Sequence, residues 1–374
     1  MSARRVAWLL IAGVAVIAFA IWLSSRRHLE RDMAAGALVL PDLEHTVNTV
    51  TKITLRKGDG THATLKREGD TWRVEERGWP ADVAKVRKLL LDLRALNIVE
   101  EKTRLPANYP QLGVADVASP KATGTLIEVT SPAHNWSVII GKSSGAKSGY
   151  VRVANMPQTL LAAPLLTVDS DPKSWLDHAL LDVPVARVRQ VEEHPPQGPS
   201  YTVAREKKEQ NDFTVSPLPK GRELTSAAAA EPVTTSLASL SLDDVRKGDP
   251  KTDPPAARAL YRTFDGLELE VSGRKDGNHA LIAASARSTG KDSAAEADRL
   301  NARLSGWEFE IPDYKFTAMF SPLEDLLKKP PQPAKKAAAT AKPGKGANPG
   351  KGANPGKSAN PEESATPPSA MPAK

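Results

Sequence analysis

From Val6 to Leu23 the chain runs through eighteen residues, VAWLLIAGVAVIAFAIWL, without one polar side chain. Wound as a helix at 1.5 Å per residue, the run reaches roughly 27 Å, enough to cross a hydrocarbon core. Trp8 and Trp22 lie near its ends, where indoles favour the headgroup level, and arginines flank it on both sides. A cleaved signal peptide is the competing reading. Its apolar region is normally shorter, and Ala18-Phe19-Ala20 is a poor cleavage signal because Ile21, Trp22 and Leu23 prolong the run. The expectation is therefore a short basic segment (1–5), a transmembrane helix (6–23) and a polar juxtamembrane stalk (24–37). Arg4, Arg5 and the amino terminus face Arg26, Arg27 and Arg31, so charge bias leaves the orientation nearly tied.

The net charge of +7 invites a nucleic-acid reading until the charges are located. Residues 328–374 carry nine lysines against two glutamates, a difference of +7. The membrane end contributes +3, which leaves residues 36–327 at −3. A body of that sign has no net pull on phosphates, and no nucleic-acid partner is expected. Cysteine is absent, which removes disulfides, thiolate metal sites and cysteine nucleophiles.

Beyond the stalk, Val50–Arg56 and Thr61–Arg67 read as strands joined by Lys57-Gly58-Asp59-Gly60, a hairpin turn. Trp72–Glu75 continues the meander. A helix should then open near Asp82, with Val83, Val86, Leu90 and Leu93 on one face packed against that meander. Gly124–Thr130, Trp136–Ile140 and Tyr150–Val153 are further strand candidates.

The order then repeats. Thr64-Leu65-Lys66-Arg67-Glu68 is echoed by Thr202-Val203-Ala204-Arg205-Glu206, and Trp72-Arg73-Val74 by Phe213-Thr214-Val215. A second helix would open at Pro232 and use Val233, Leu237 and Leu240, and Gly124–Val129 is matched by Gly266–Val271, followed by a strand around 280–284. Ser293–Leu304 reads as a helix, and Trp307-Glu308-Phe309-Glu310-Ile311 alternates like an edge strand stopped by Pro312. The expected fold class is α+β: two tandem related β-rich units, 38–183 and 184–327, each with a packed helix. Residues 328–374, rich in lysine, proline, alanine and glycine, have little apolar surface to offset ordering entropy and are expected to be a disordered tail. A solubilising spacer is its favoured role, ahead of adhesion to anionic lipid or wall polymer.

Candidate chemistry is sparse. Gly141-Lys142-Ser143-Ser144-Gly145 fits the pattern of a nucleophile elbow, with Asp169, Asp171 and His178 following in hydrolase order. An elbow joins strand to helix, whereas this stretch leads into strand-like Tyr150–Val153, so a hairpin loop explains it better. The stretch resembles the end of a phosphate loop too, but Trp136 stands where its first glycine belongs, and Gly58–Ala63 meets a strand where a dinucleotide fingerprint needs a helix. Glu192-Glu193-His194 is the densest ligand-like cluster, yet it runs into Pro195-Pro196 and reads as a solvated loop. Asp243-Asp244 and Glu100-Glu101 read as exposed carboxylates at element ends. Trp72, Trp79, Trp136, Trp175 and Trp307 are core candidates first and a glycan platform second. No catalytic, cofactor-binding or metal-ligating set is assigned.

The residues do carry a resemblance. Leu38-Val39-Leu40-Pro41-Asp42-Leu43, Val47-Asn48, Ile53-Thr54-Leu55, Leu65–Trp72, Pro80-Ala81-Asp82, Leu112-Gly113-Val114 and the region 300–327 resemble bacterial proteins of the domain of unknown function 4340 family. The resemblance covers most of 38–327 and consists of packing and turn motifs. It implies a single-pass inner-membrane protein with an extracytoplasmic body, associated with ABC-type transport components similar to those of gliding motility. It offers no catalytic residues to carry over, and the long lysine-proline tail departs from its pattern. The expected function is thus a non-enzymatic accessory component of an ABC-type transport system, with the lipid bilayer and a transport permease or gliding-motility-like protein as partners. An envelope polysaccharide-binding module is the first alternative, and a serine hydrolase centred on Ser143 the second.

Overall fold

The computed structural model describes residues 35–248 and 256–329, which fall in one compact unit. Among these residues no helix is long and apolar enough to cross a membrane. The expected basic segment, the 6–23 span, most of the stalk and the tail beyond Lys329 lie outside the described residues.

The body is β-rich, with few helices. Nine strands build a first antiparallel sheet: β1 (Lys52–Lys57), β2 (His62–Glu68), β3 (Thr71–Val74), β4 (Trp79–Pro80), β5 (Asn97–Glu101), β6 (Thr125–Thr130), β7 (Asn135–Ser144), β8 (Ser148–Val153) and β9 (Thr159–Ala163). Their spatial order is β4-β3-β2-β1-β6-β7-β8-β9-β5. Alternation sets the core face: Ile53 and Leu55 of β1 lie opposite Leu65 and Ala63 of β2 on one side and Val129 and Ile127 of β6 on the other, all buried. The Val83–Arg94 helix starts where the Asp82 carboxylate accepts the Lys85 amide at 3.0 Å, and it buries Val86, Leu89, Leu90 and Leu93.

The chain goes on through β10 (Ala179–Leu181), β11 (Val188–His194), β12 (Tyr201–Ala204), β13 (Thr214–Ser216), β14 (Leu240–Ser241), β15 (Asp244–Lys247), β16 (Ala257–Thr263), β17 (Leu267–Asp276), β18 (His279–Ser288) and β19 (Trp307–Ile311). β10 and β14 pair alone, and the other eight form a second antiparallel sheet in the order β13-β12-β11-β16-β17-β18-β19-β15. With β4 set aside, both sheets have one connectivity: third, second, first, fifth, sixth, seventh, eighth, fourth. Matching arginines reinforce the likeness. Arg67, at the end of β2, donates to the Asn48 carbonyl ahead of β1, and Arg205, just past β12, donates to the carbonyls of Val185 (2.7 Å) and Ala186 (3.0 Å) ahead of β11.

Four expectations need correction. The counterpart of β6 is β16, so the Gly266–Val271 echo falls one strand late; both segments are buried strands entered through a glycine, and the likeness is of type rather than of place. The second helix spans only Glu231–Thr235, because the hydroxyls of Thr234 and Thr235 bond back to the Glu231 carbonyl and that of Ser236 to Val233, and the backbone at Ser239 then adopts a left-handed conformation (φ 47°). Leu237 and Leu240 are buried outside it. Trp307–Ile311 is not an edge, since β15 pairs outside it. Glu192-Glu193-His194 is not a loop but the end of β11.

Side chains from both halves make one continuous core. At their junction Trp79 meets Trp307 and Phe309 edge to face, at 5.5 and 5.2 Å between ring centroids. Arg77 grips both oxygens of Asp244 at 2.6 and 3.1 Å, and Arg303 reaches Asp177 at 3.0 Å.

Candidate functional site

The outward face of the second sheet holds a groove of about 370 Å³. The β16–β18 register puts Arg258 beside Ser272, Ser272 beside Ala283, Glu270 beside Ser285 and Arg274 beside Leu281, so small side chains form the floor between charged ones. β19 pairs with β18 only at Ala280–Ile282. Further along, the Asn301 carboxamide stands in for a strand, accepting from the Ala286 amide at 2.8 Å and donating to its carbonyl at 2.7 Å. The end of the Lys291–Leu304 helix and the start of β19 thereby become a wall of the groove.

Charges on this wall are held in place. Glu308, 9% exposed, accepts from Arg246 at 3.0 Å and from Arg274 at 3.2 and 3.1 Å. Arg258 and Glu270 pair at 3.6 Å on the more exposed side. The Lys247 ammonium lies 3.4 Å from the centre of the Trp307 ring. Gly248 is required by close approach: a Cβ there would come 2.7 Å from the Glu308 Cγ.

A second hollow of about 210 Å³ shares Leu281 and Glu308 and is lined by Lys173, Asp244, His279 and Glu310. Burial works to raise the Asp244 carboxyl, but the Arg77 guanidinium and the Val245 amide outweigh it and hold the group below its ordinary value. Asp244 is thus a clamp between the halves, contrary to the exposed pair expected of Asp243-Asp244. Glu100 and Glu101 lie on β5 and pair with Lys102 and Arg104. Alternating fixed charges around a small-residue floor suit a polar, hydrogen-bonding surface better than an apolar ligand.

The residues singled out by motif do not assemble. Ser143 is exposed on β7 opposite Gly149, in the hairpin with β8. Asp169 accepts from Ser174 at 2.6 Å, Asp171 caps the Lys173 amide at 3.0 Å and His178 Nδ1 lies 2.7 Å from the Leu242 carbonyl; no hydrogen bond joins any of them to Ser143. Among the described residues no group of three or more histidines and carboxylates is arranged to hold a metal ion. Trp72, Trp79 and Trp175 are buried, while Trp136 and Trp307 are half-buried.

Glu193 lies on the core face of β11, opposite Tyr201 of β12 and Ala259 of β16, with no solvent exposure and no hydrogen-bond partner for either oxygen. Burial pushes its carboxyl from 4.5 up to about 9. Its neighbours do not share a site with it: Glu192 pairs with Arg262, and His194 Nδ1 lies 2.7 Å from the Ser200 hydroxyl.

Sequence reasoning missed the groove because its shape depends on the register of the successive strands β16, β17 and β18 and on where β19 parts from β18, and neither is signalled by a local motif. The one local signal was the alternation of Trp307–Ile311, which already put Glu308 and Glu310 on a common face.

A family model described as "Domain of unknown function (DUF4340)" matches residues 72–260, from β3 into β16. No curated protein and no solved structure matches the chain. With that model spanning half its length and reaching into both sheets, the chain belongs to the domain of unknown function 4340 family.

Proposed function

We propose that this chain is a membrane-tethered, non-enzymatic accessory subunit whose body, on the extracytoplasmic side, binds other envelope proteins of an ABC-type transport system. The observation that carries the reading is the arginine-flanked apolar run 6–23, separated from Gly36 by only residues 24–35. The groove beside Trp307 is the face offered to the partner: its charges are held by ion pairs and its floor of serine and alanine leaves room for an incoming backbone. Within this reading the body is a tandem duplication, 38–183 and 184–327, supported by the common strand order and by the matched arginines 67 and 205.

Affinity purification from detergent-solubilised membranes tests the proposal. Transporter subunits should co-purify with the native chain and be lost with Ala283→Arg, which fills the groove floor. Recovery of no membrane protein, or fractionation of the native chain with the aqueous phase, overturns it. The polysaccharide alternative keeps one point of support, the half-buried Trp307 beside Lys247; a pull-down on isolated cell wall that survives Trp307→Ala removes it.

A further inference from the structure

The point at which the chain enters the body identifies the end of the first sheet nearest to the tether. Residues 36–39 run antiparallel along β5, with the Gly36 amide on the Ile98 carbonyl at 2.7 Å, the Ile98 amide on Ala37 at 2.8 Å and the Val39 amide on Leu96 at 2.8 Å. Antiparallel pairing means that the chain arrives from the side of Glu101 and Lys102. Twelve residues separate Leu23 from Gly36. Even fully extended they reach at most about 40 Å, and as a helix about 18 Å.

Two loops meet at that same end, 102–108 after β5 and 154–158 after β8. The Lys102 amide bonds to the Thr159 carbonyl at 2.8 Å, the Thr159 amide to Thr103 at 3.0 Å, and the Tyr109 hydroxyl to Pro157 at 2.7 Å. Beneath them Arg152, 3% exposed, lies 4.7 Å from the Tyr109 ring centre and donates to the Met156 carbonyl at 3.2 Å. On this braced support Leu105 is 65% exposed and Met156 58% exposed. The neighbouring acids Glu100 and Glu101 are paired with Lys102 and Arg104, so no unpaired carboxylate on β5 opposes an anionic surface.

We propose that this end of the first sheet rests on the bilayer, with Leu105 and Met156 seated in the headgroup layer beside the tether. The inference builds on the membrane-tethered reading above and adds an orientation for the body. Apolar side chains on a preformed loop enter a lipid interface without a large ordering cost, and the tether holds them at high local concentration.

Because the native chain has no cysteine, single-cysteine variants can each carry one fluorophore. Ala15→Cys reports on the apolar run, Leu105→Cys and Met156→Cys on the proposed contact, and Lys147→Cys on the turn at the opposite end of β8. Each full-length variant is reconstituted in phosphatidylcholine–phosphatidylglycerol vesicles containing a nitroxide-labelled lipid. Quenching is expected at 15, 105 and 156 and absent at 147. Quenching at 15 without quenching at 105 and 156 overturns the proposed contact while leaving the tether standing, as does equal quenching at 105 and 147. No quenching at 15 removes the tether itself, and the orientation with it.

Discussion

At the scale of single residues, Glu193 has the largest consequence for stability. Tyr201 and Tyr261 flank it, and burial, the largest cause for both, raises their hydroxyls above the ordinary value. The folded protein retains a proton on Glu193 up to about pH 9, whereas the unfolded chain releases it near 4.5. Stability from this group is complete below pH 4.5, falls as pH rises towards 9 and is flat beyond. Glu193→Gln should therefore melt with the native protein at pH 4 and exceed it by a few kcal/mol at pH 8 in urea titrations. A pH-independent difference between the two would contradict this. Gly273 is a second sensitive residue, since a Cβ there would lie 2.4 Å from the Phe320 ring. Gly273→Ala should cost on the order of 1–3 kcal/mol through displacement of Phe316 and Phe320, measurable in the same titrations.

Elements show why some of the architecture could be read in advance. The β1–β2 hairpin and the Val83–Arg94 helix declare themselves through local chemistry, a glycine turn in one case and an aspartate cap with a three-and-four apolar repeat in the other. Asp82→Ala should lower stability by about 1 kcal/mol in chemical denaturation, as loss of an N-cap does. β5 and β9 were not legible: Asn97-Ile98-Val99-Glu100-Glu101 follows a helix without a break in pattern, and Thr159-Leu160-Leu161-Ala162-Ala163 has helix-forming composition that sheet pairing overrides. Glu193 was hidden for a related reason, because adjacent prolines suggested a loop and nothing local signals that a carboxyl will face a core. The paired arginines offer a contrast between equivalent elements. Arg205 is 7% exposed and donates to four carbonyls, those of Val185, Ala186, Val188 and Gln210, so Arg205→Ala should cost several kcal/mol. Arg67 is more exposed, and Arg67→Ala should cost under about 1 kcal/mol in the same assay.

For the molecule as a whole, the shared core and the Arg77–Asp244 grip predict that both halves unfold together. Scanning calorimetry of the full chain should give one transition for residues 35–329, and a double-mutant cycle on Arg77→Ala and Asp244→Ala should return a coupling of about 1–3 kcal/mol. Two separated transitions would mean that the junction is weaker than its contacts indicate. The common strand order also bears on how the chain is made. In each sheet the fourth strand joins the other strands only through the eighth; β5 can meanwhile pair with residues 36–39, but β15 waits for β19 while the intervening length is synthesised. Nascent chains released before Trp307 would leave the backbone donors and acceptors of β15 open to neighbouring polypeptides, and such fragments should be prone to clump on leaving the ribosome.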